Sequence, residues 1–225
     1  MSYESIVIGS EKIGSPSRYL VGPRAVLILP IPYAFFKRLC DIGFSMLALP
    51  LILITAAVLL VLNPFLNPGP VIFRQERMGL GGKKIRLWKF RSMTGCSSDL
   101  RSCDDPLETH RITRLGRLLR ISRLDELPNF LNVLAGDMCT VGPRPDAWSH
   151  ARNHILAIPH YSGRFRVRPG ITGLAQMRGG YVDNPRATER KARFDRIYIE
   201  RSGMRLDFYI MARTFRVIAT GFGAR

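Results

Sequence analysis

The longest apolar stretch of this chain, residues 42–62, has the sequence IGFSMLALPLILITAAVLLVL and carries no charge. A straight helix over its 21 residues would be roughly 31 Å long, enough to cross the hydrocarbon core of a bilayer. Pro50 interrupts the stretch, however, because proline removes one backbone hydrogen bond and clashes with the preceding turn. The arms of eight and twelve residues on either side would be roughly 12 and 18 Å long, and neither is long enough to cross alone.

Both flanks of this stretch are basic. Lys37 and Arg38 precede it, and a second basic group follows it: Arg74, Arg77, Lys83, Lys84 and Arg86. A single crossing would put one group on the non-cytoplasmic side, against the usual preference of positive residues. A helix that enters the membrane, bends at Pro50 and leaves by the same face satisfies both observations, while a kinked transmembrane helix is the alternative. We therefore predict a Pro-broken re-entrant helix over residues 37–63, preceded by a flexible or interfacial segment at residues 1–36.

The chain is strongly basic, with 34 Lys and Arg against 17 Asp and Glu and a formal net charge of +17. Such an excess predicts an anionic partner, which is a nucleic acid, an acidic lipid surface or a phosphorylated substrate. We find no recognised nucleic-acid-binding module, and anionic membrane lipids explain the excess more simply, so we expect no nucleic-acid partner. The four cysteines have no CxxC pair or zinc-type spacing and are expected to be free thiols in a reducing compartment. They are Cys40, Cys96, Cys103 and Cys139.

Residues 64–225 are long enough to form one compact domain. Two alternating, aromatic-containing stretches flank Leu80-Gly81-Gly82 and predict a β-hairpin. Helical patterns follow at residues 114–123, 129–136, 189–201 and 206–222. The last of these is amphipathic and suits either the membrane interface or the protein core. The expected fold class is α+β, mostly helical with a small β-hairpin.

Asp125 and Glu126 form an acidic pair in a strongly basic neighbourhood. Nearby Arg and Lys favour the ionised form of both carboxyl groups, so one can attack phosphorus while the other holds Mg²⁺. Basic side chains can then bind the phosphate oxygens on which transition-state charge develops. Taken alone, such a pair more often complements a helix dipole than takes part in catalysis. The sequence around the pair therefore has to distinguish the two roles.

Four long stretches around the pair resemble one family. They are PVIFRQERMGLGGKKIRLWKFRSM (70–93), RITRLGRLLRISRLDELPNFLNVLAGDMCTVGPRP (111–145), VRPGITGLAQ (167–176) and FDRIYIERSGMRLDFYI (194–210). Together they closely resemble the bacterial sugar transferases, the small monotopic phosphoglycosyl transferases. The resemblance extends over roughly residues 37–217, and several long motifs in the right order make it specific.

The resemblance implies roles for individual residues. Asp125 matches the family nucleophile, and Glu126 matches the residue that binds Mg²⁺. The substrate-binding positions that it implies are mainly basic: Lys89, Arg91, Arg120, Pro143, Arg144, Pro145 and Asp195. Among these, Arg144 is the expected phosphate partner within the Pro143-Arg144-Pro145 motif, and Asp195 matches an acidic position of functional weight.

The resemblance also implies a reaction. The aspartate attacks the β-phosphate of a UDP-sugar, releases UMP and carries the phosphosugar until polyprenyl phosphate, by default undecaprenyl phosphate, accepts it. This is the first step of exopolysaccharide, capsule or glycan assembly, at the cytoplasmic face of the bacterial inner membrane. One alternative is direct transfer supported by Mg²⁺ on Glu126 without a covalent intermediate. The other is an inactive membrane-anchored scaffold or nucleic-acid-binding protein. Neither the sugar nor the oligomeric state is indicated.

The sequence departs from the family pattern at three places. Leu49 stands before the proline where the family often has Ser, so a side-chain hydrogen bond that would secure the bend is absent. Arg123 and the pair Cys139-Thr140 replace other common residues. None of these changes removes a chemical group that the expected reaction needs.

Overall fold

The computed structural model describes residues 26–27, 29–95, 111–179 and 185–220. Its longest element is α1, Ile31–Leu66, a helix of 36 residues that contains the apolar stretch. Pro50 and Pro64 both lie inside α1, so the chain is helical on both sides of the predicted bend at Pro50. Proline lacks one donor, and the neighbouring turns of this long helix retain theirs. The helix is also longer at both ends than residues 37–63.

One stripe of α1 packs against the rest of the protein. The buried residues of the helix recur every three, four or seven positions: Asp41, Ser45, Ile52, Thr55, Leu59 and Asn63. Ile52 and Leu59 join a core with Phe90 and Leu119, and Leu49 packs against the same core. The other faces expose large apolar side chains such as Leu47, at 76%. By length and composition α1 is the one described helix that could cross a membrane.

Both ends of α1 are fixed to the same body. Before the helix, the Leu27 amide donates to the carbonyl of Arg166 at 2.8 Å. After it, the Asn67 side chain donates to the carbonyl of Arg91 at 2.9 Å. In its first turns, Arg38 donates to the Val133 and Leu134 carbonyls. The helix therefore lies along the body instead of projecting away from it.

The predicted hairpin is confirmed. Strand β1, Ile72–Met78, pairs antiparallel with β2, Lys84–Phe90, and Gln75 lies opposite Leu87. The connection contains a 3₁₀ turn at Leu80–Gly82, in which Gly81 has a φ of 63°. This left-handed conformation favours glycine, which explains the Gly-Gly signal in the sequence.

The predicted helices are present, and the structure adds elements that the sequence pattern did not indicate. The helices after the hairpin are α2 (Arg114–Ile121), α3 (Asn129–Ala135), α4 (Trp148–Ala157), α5 (Leu174–Gly179), α6 (Pro185–Glu200) and α7 (Met204–Thr220). Two short strands, β3 (Cys139–Val141) and β4 (Gly170–Thr172), form a parallel pair that was not predicted. Cys40 and Cys139 are free thiols, whereas Cys96 and Cys103 lie outside the described residues.

Candidate active site

The acidic pair lies in a short 3₁₀ turn, Leu124–Glu126, between α2 and α3. Arg123 precedes the turn in a left-handed conformation, with a φ of 59°, so the chain reverses sharply after α2. The side chain of Thr113 accepts a hydrogen bond from the Gly116 amide at 2.9 Å and caps the start of α2. Two short helices thus hold the acidic pair at a tight corner.

Glu126 is bound by two cations. Arg144 Nη1 donates to Oε2 at 3.0 Å, and Arg144 Nη2 donates to Oε1, which makes the pair bidentate. Lys89 Nζ lies 3.4 Å from the same Oε1. Burial would raise the pKa of Glu126, but Arg144 and Lys89 together hold it well below the usual range for a glutamate. Glu126 is therefore ionised and fixed in place.

Asp125 has an environment unlike that of its neighbour. Its Oδ1 is buried and has no hydrogen-bond partner among the described residues. Burial, and then the adjacent charge of Glu126, raise the pKa of Asp125, while Lys89, Arg120 and Arg144 oppose the rise. A carboxylate oxygen without a partner retains its electron pairs for a substrate or a cation. Asp125 is therefore the member of the pair with an oxygen available to a ligand.

Lys89 and Arg77 extend the cationic side of the site from the hairpin. Burial lowers the pKa of Lys89 to about 8, although Glu126 acts in the opposite direction. Burial and the neighbouring Arg144 lower the pKa of Arg77 to about 10. Arg77 donates to the carbonyl of Pro145 at 3.2 Å. In the sequence Arg77 is one of several basic residues after the apolar stretch, and only the alternation of β1 indicates that it shares a face with Gln75.

The loop with Pro143-Arg144-Pro145 follows β3 and is held against β4. The amide of Gly142 donates to Thr172 at 2.8 Å, and the amide of Gly170 donates to Pro143 at 2.9 Å. A Cβ atom at Gly170 would lie closer than 3.0 Å to the Gly142 backbone. This close approach brings Arg144 to Glu126, and Arg144 Nη1 also lies 3.3 Å from the Ile171 carbonyl.

Not every residue implied by the resemblance joins this cluster. Lys89, Arg120 and Arg144 all act electrostatically on Asp125. Arg91 instead donates to the Met93 carbonyl at 3.0 Å and packs close to Gly69 after α1. Asp195 is only 1% exposed and forms an ion pair with Arg164, so it lies beneath the loop and not on its open side. Its contact with substrate stays a prediction.

The sequence also gave no indication of a set of charged residues below the loop, in which Arg164 and Lys191 each form an ion pair with Asp146. Arg164 lies in a 3₁₀ segment, Tyr161–Arg166, whose irregular pattern gave no indication of burial. Tyr161 donates to the carboxylate of Asp146 as well. Their proximity arises only when the loop, the 3₁₀ segment and α6 meet.

The acidic pair offers a partial cation site. Mg²⁺ is commonly held by one or two carboxylates together with substrate phosphates. Asp125 presents a buried oxygen without a partner, whereas both Glu126 oxygens are bound by Arg144 or Lys89. Within the described part of the chain no group of three or more His, Cys, Asp or Glu side chains could form a metal site without a substrate. The residues fit a cation shared with phosphate oxygens, not one enclosed by protein ligands.

Comparisons with known proteins agree with this arrangement. The family model for the bacterial sugar transferase matches residues 32–221. A UDP-N-acetylgalactosamine-undecaprenyl-phosphate N-acetylgalactosaminephosphotransferase of Aeromonas hydrophila is 42% identical over 88% of this chain and 47% of its own length. A UDP-glucose:undecaprenyl-phosphate glucose-1-phosphate transferase of Klebsiella pneumoniae is 43% identical over 83% of this chain and 40% of its own.

A third relative, the exopolysaccharide production protein PSS of Rhizobium leguminosarum, is 38% identical over 79% of this chain and 92% of its own length. The chain thus spans about half the length of the first two relatives and nearly all of the third. The match of the family model covers most of the chain, including both strands of the hairpin, the acidic pair and the loop that carries Arg144. This chain belongs to the bacterial sugar transferase family.

Proposed function

We propose that this protein transfers a sugar-1-phosphate from a UDP-sugar to undecaprenyl phosphate. Two relatives that share over 40% identity carry names that specify this donor and acceptor chemistry. The observation in this chain that carries the proposal is the unequal pair at residues 125 and 126. Glu126 is fixed by two cations, while Asp125 keeps a buried oxygen without a partner. A fixed carboxylate beside a reactive one suits nucleophilic attack on a phosphate.

The chemistry follows in two displacements at the same phosphorus. A carboxylate oxygen of Asp125 forms a bond to the β-phosphorus of the donor as the bond from that phosphorus to the bridging oxygen breaks, and UMP leaves with that oxygen. An oxygen of undecaprenyl phosphate then forms the new bond, and the bond to Asp125 breaks. The products are UMP and undecaprenyl-diphosphate-sugar, and the carboxylate of Asp125 is regenerated.

The basic residues of the site have separate tasks in this scheme. Arg144 reaches the site from the loop after β3, and Lys89 reaches it from β2. Both would bind diphosphate oxygens of the donor, and Arg120 would stabilise the ionised form of Asp125. The cations around Asp125 and Glu126 outnumber these two carboxylates, and the resulting net positive charge favours a substrate with several phosphate charges. Asp125 itself needs to be deprotonated to attack.

Mg²⁺ is part of the proposal, with Glu126 as the protein group that would hold it together with phosphate oxygens of the donor. The ion would neutralise phosphate charge during transfer. Arg144 or Lys89 would release one oxygen of Glu126 and turn to the phosphates instead. Such an exchange suits Lys89, whose single 3.4 Å contact is longer than those of Arg144.

We further propose that the protein is monotopic, with α1 as a re-entrant element and the rest at the cytoplasmic face of the bacterial inner membrane. Both ends of α1 bond to the same body, and buried residues recur along its length from Asp41 to Asn63. A helix that crossed the bilayer would need a long segment free of such contacts. Its exposed apolar faces and the basic body favour contact with anionic lipids.

The test is UMP release from a panel of UDP-sugars by the protein in nanodiscs, with undecaprenyl phosphate and Mg²⁺. We expect release from at least one sugar, and Asp125→Asn should lower the rate by at least about 1,000-fold because the amide is a poor nucleophile. Asp137→Asn is the control, because Asp137 is an exposed acidic residue outside the pair. Silence over a wide donor panel from folded protein would favour the inactive scaffold.

The alternative of direct transfer is separated by incubating the protein with donor alone. The proposal predicts a covalent adduct of one phosphosugar on the peptide that contains Asp125, detected by mass spectrometry, and one UMP per active site. Direct transfer predicts neither product without acceptor. Substantial turnover by Asp125→Asn would likewise reject the nucleophilic role.

A further inference from the structure

The loop that carries Arg144 rests on a buried network of charges that does not face the substrate. Arg164 lies at its centre, with a side chain that is 2% exposed. Its guanidinium forms ion pairs with Asp146 and with Asp195, the latter at 2.8 Å between Nη2 and Oδ2. Lys191 also pairs with Asp146. Two cations and two carboxylates thus meet below the loop, and each buried charge has a partner of opposite sign, which a buried ion needs.

Arg164 also bonds to the backbone of the loop. Its Nη2 donates to the carbonyl of Arg144 at 2.7 Å. Asp146, which pairs with the same guanidinium, lies two residues further along the chain. One side chain therefore holds the loop on both sides of Pro145, whose ring already restricts the backbone. These two attachments, together with the contact between the loop and β4, hold the backbone at Arg144.

Two other cations bond to backbone carbonyls in this region, one at the end of β3 just before the loop and one in the loop itself. Lys37 of α1 donates to Val141 at 2.8 Å, and Arg77 of β1 donates to Pro145 at 3.2 Å. Neither forms an ion pair with a side chain of the loop among the described contacts. Among the residues that the structure describes, only Arg164 bonds to both a carbonyl and a carboxylate of the loop, and it also pairs with Asp195 of α6.

We propose that Arg164 is a positioning residue that acts through Arg144. It holds the loop so that the Arg144 guanidinium reaches Glu126 in the free protein and the donor diphosphate during the reaction. The second half of this statement rests on the proposed function. Because Arg164 is buried beneath the loop, it does not touch the substrate itself. Its effect on catalysis passes through the backbone of Arg144 and Asp146.

A double-mutant cycle separates positioning from a purely structural role. Arg164→Lys keeps the charge for Asp146 and Asp195 but replaces the planar fork that reaches both the carbonyl and the carboxylates. We expect it to lower kcat/KM for the donor by about 10-fold or more, from a hydrogen bond to a charged group. In the background of Arg144→Ala the same change should have an effect of less than about twofold, because residues that act as a unit are not additive.

The matched control is Lys191→Met. This change removes the other cation that pairs with Asp146 but leaves the bond from Arg164 to the Arg144 carbonyl. We expect kcat/KM for the donor to stay within about threefold of the unchanged protein, since residues outside the acting unit contribute little. The positioning role is rejected if the fold losses in kcat/KM from Arg164→Lys and Arg144→Ala multiply in the double variant. It is also rejected if Lys191→Met lowers kcat/KM as much as Arg164→Lys does.

A second measurement does not depend on activity. Hydrogen exchange of the peptide over residues 139–147 should be faster in Arg164→Lys than in Lys191→Met when each variant is measured at the same interval below its own unfolding temperature. Equal exchange in the two variants would overturn the proposal. If the unchanged protein releases no UMP from any donor, the proposed function has failed, and this exchange experiment still decides whether Arg164 positions the loop.

Discussion

At the scale of single residues, the pKa values in the site depend on the ion pairs that Glu126 forms. Its bidentate pair with Arg144 and its contact with Lys89 hold its pKa well below the usual range. That fixed negative charge adds to burial in raising the pKa of Asp125 and partly offsets the burial of Lys89. Neighbouring carboxyl groups thus have opposite shifts, an arrangement typical of sites in which two acids have different roles.

The pH dependence of kcat/KM for the donor should reflect these shifts. As the pH rises through about 8, Lys89 loses its proton and its attraction for phosphate, so kcat/KM should fall. As the pH falls, Asp125 gains a proton and loses its nucleophilicity, and this acid limb should lie above the usual range for an aspartate because its pKa is raised. A pH profile of UMP release with saturating acceptor measures both limbs.

Lys89→Arg is the matched variant for the alkaline limb. Arginine keeps its charge at every pH used for such assays, so the limb near pH 8 should disappear even if the absolute rate is lower. A profile for the unchanged protein that stays flat through this range would contradict the assignment. Persistence of the same limb in Lys89→Arg would assign it to another group.

At the scale of elements, the close approach of the loop after β3 to the start of β4 decides whether Arg144 reaches the acidic pair. Gly142 and Gly170 lie back to back, and hydrogen bonds from both amides cross the contact. The approach is possible because neither residue has a side chain, which is the role of glycine where two backbone segments touch. The parallel pair of β3 and β4 then fixes the register.

Gly170→Ala should disturb this approach. Its Cβ would clash with backbone atoms of Gly142, which cannot turn away as a side chain could, so the loop has to move. We expect a loss of stability of about 1–3 kcal/mol, typical of overpacking, together with a large loss of UMP release. Gly203→Ala is the control, since a Cβ there meets no atom within 4 Å. Thermal unfolding and the UMP assay measure the two effects, and a Gly170→Ala variant with unchanged values would refute this account.

At the scale of the whole molecule, α1 is part of the catalytic body as well as its apolar element. Arg38 bonds to the last carbonyls of α3, the helix that follows the acidic pair, and Lys37 bonds to the end of β3, just before the loop with Arg144. Asp41 accepts a hydrogen bond from the Thr140 amide at 2.8 Å. The packing of α1 against α3 and β3 therefore helps to position both the acidic pair and the loop with Arg144.

The proposed topology predicts the accessibility of two engineered cysteines. In a background without the four native cysteines, Leu20→Cys before α1 and Lys83→Cys after it should both resist an impermeant thiol reagent added outside spheroplasts. Both should react once the membrane is permeabilised, which is the control for exposure. Labelling of exactly one of them from outside would establish a crossing helix and reject the re-entrant topology.

The sequence by itself determined the parts of this protein that depend on local pattern. The alternation around Leu80-Gly81-Gly82 predicted the hairpin, and helical patterns predicted α2, α3, α6 and α7. The family motifs identified Asp125, Glu126, Lys89 and Arg144, which the structure does bring together. These features could be predicted because they rest on residues close together in the chain or on long contiguous motifs.

Only the tertiary structure decided which segments distant in sequence pack together and which of their charged residues form ion pairs. The parallel pairing of β3 with β4, the continuation of α1 through Pro50 and the burial of Asp195 against Arg164 gave no local signal. Arg164 and Asp146 are 18 residues apart, and Arg164 and Asp195 are further still. A buried ion pair is set by which surfaces meet and exclude water, and that depends on the packing of whole elements and not on the residues adjacent in sequence.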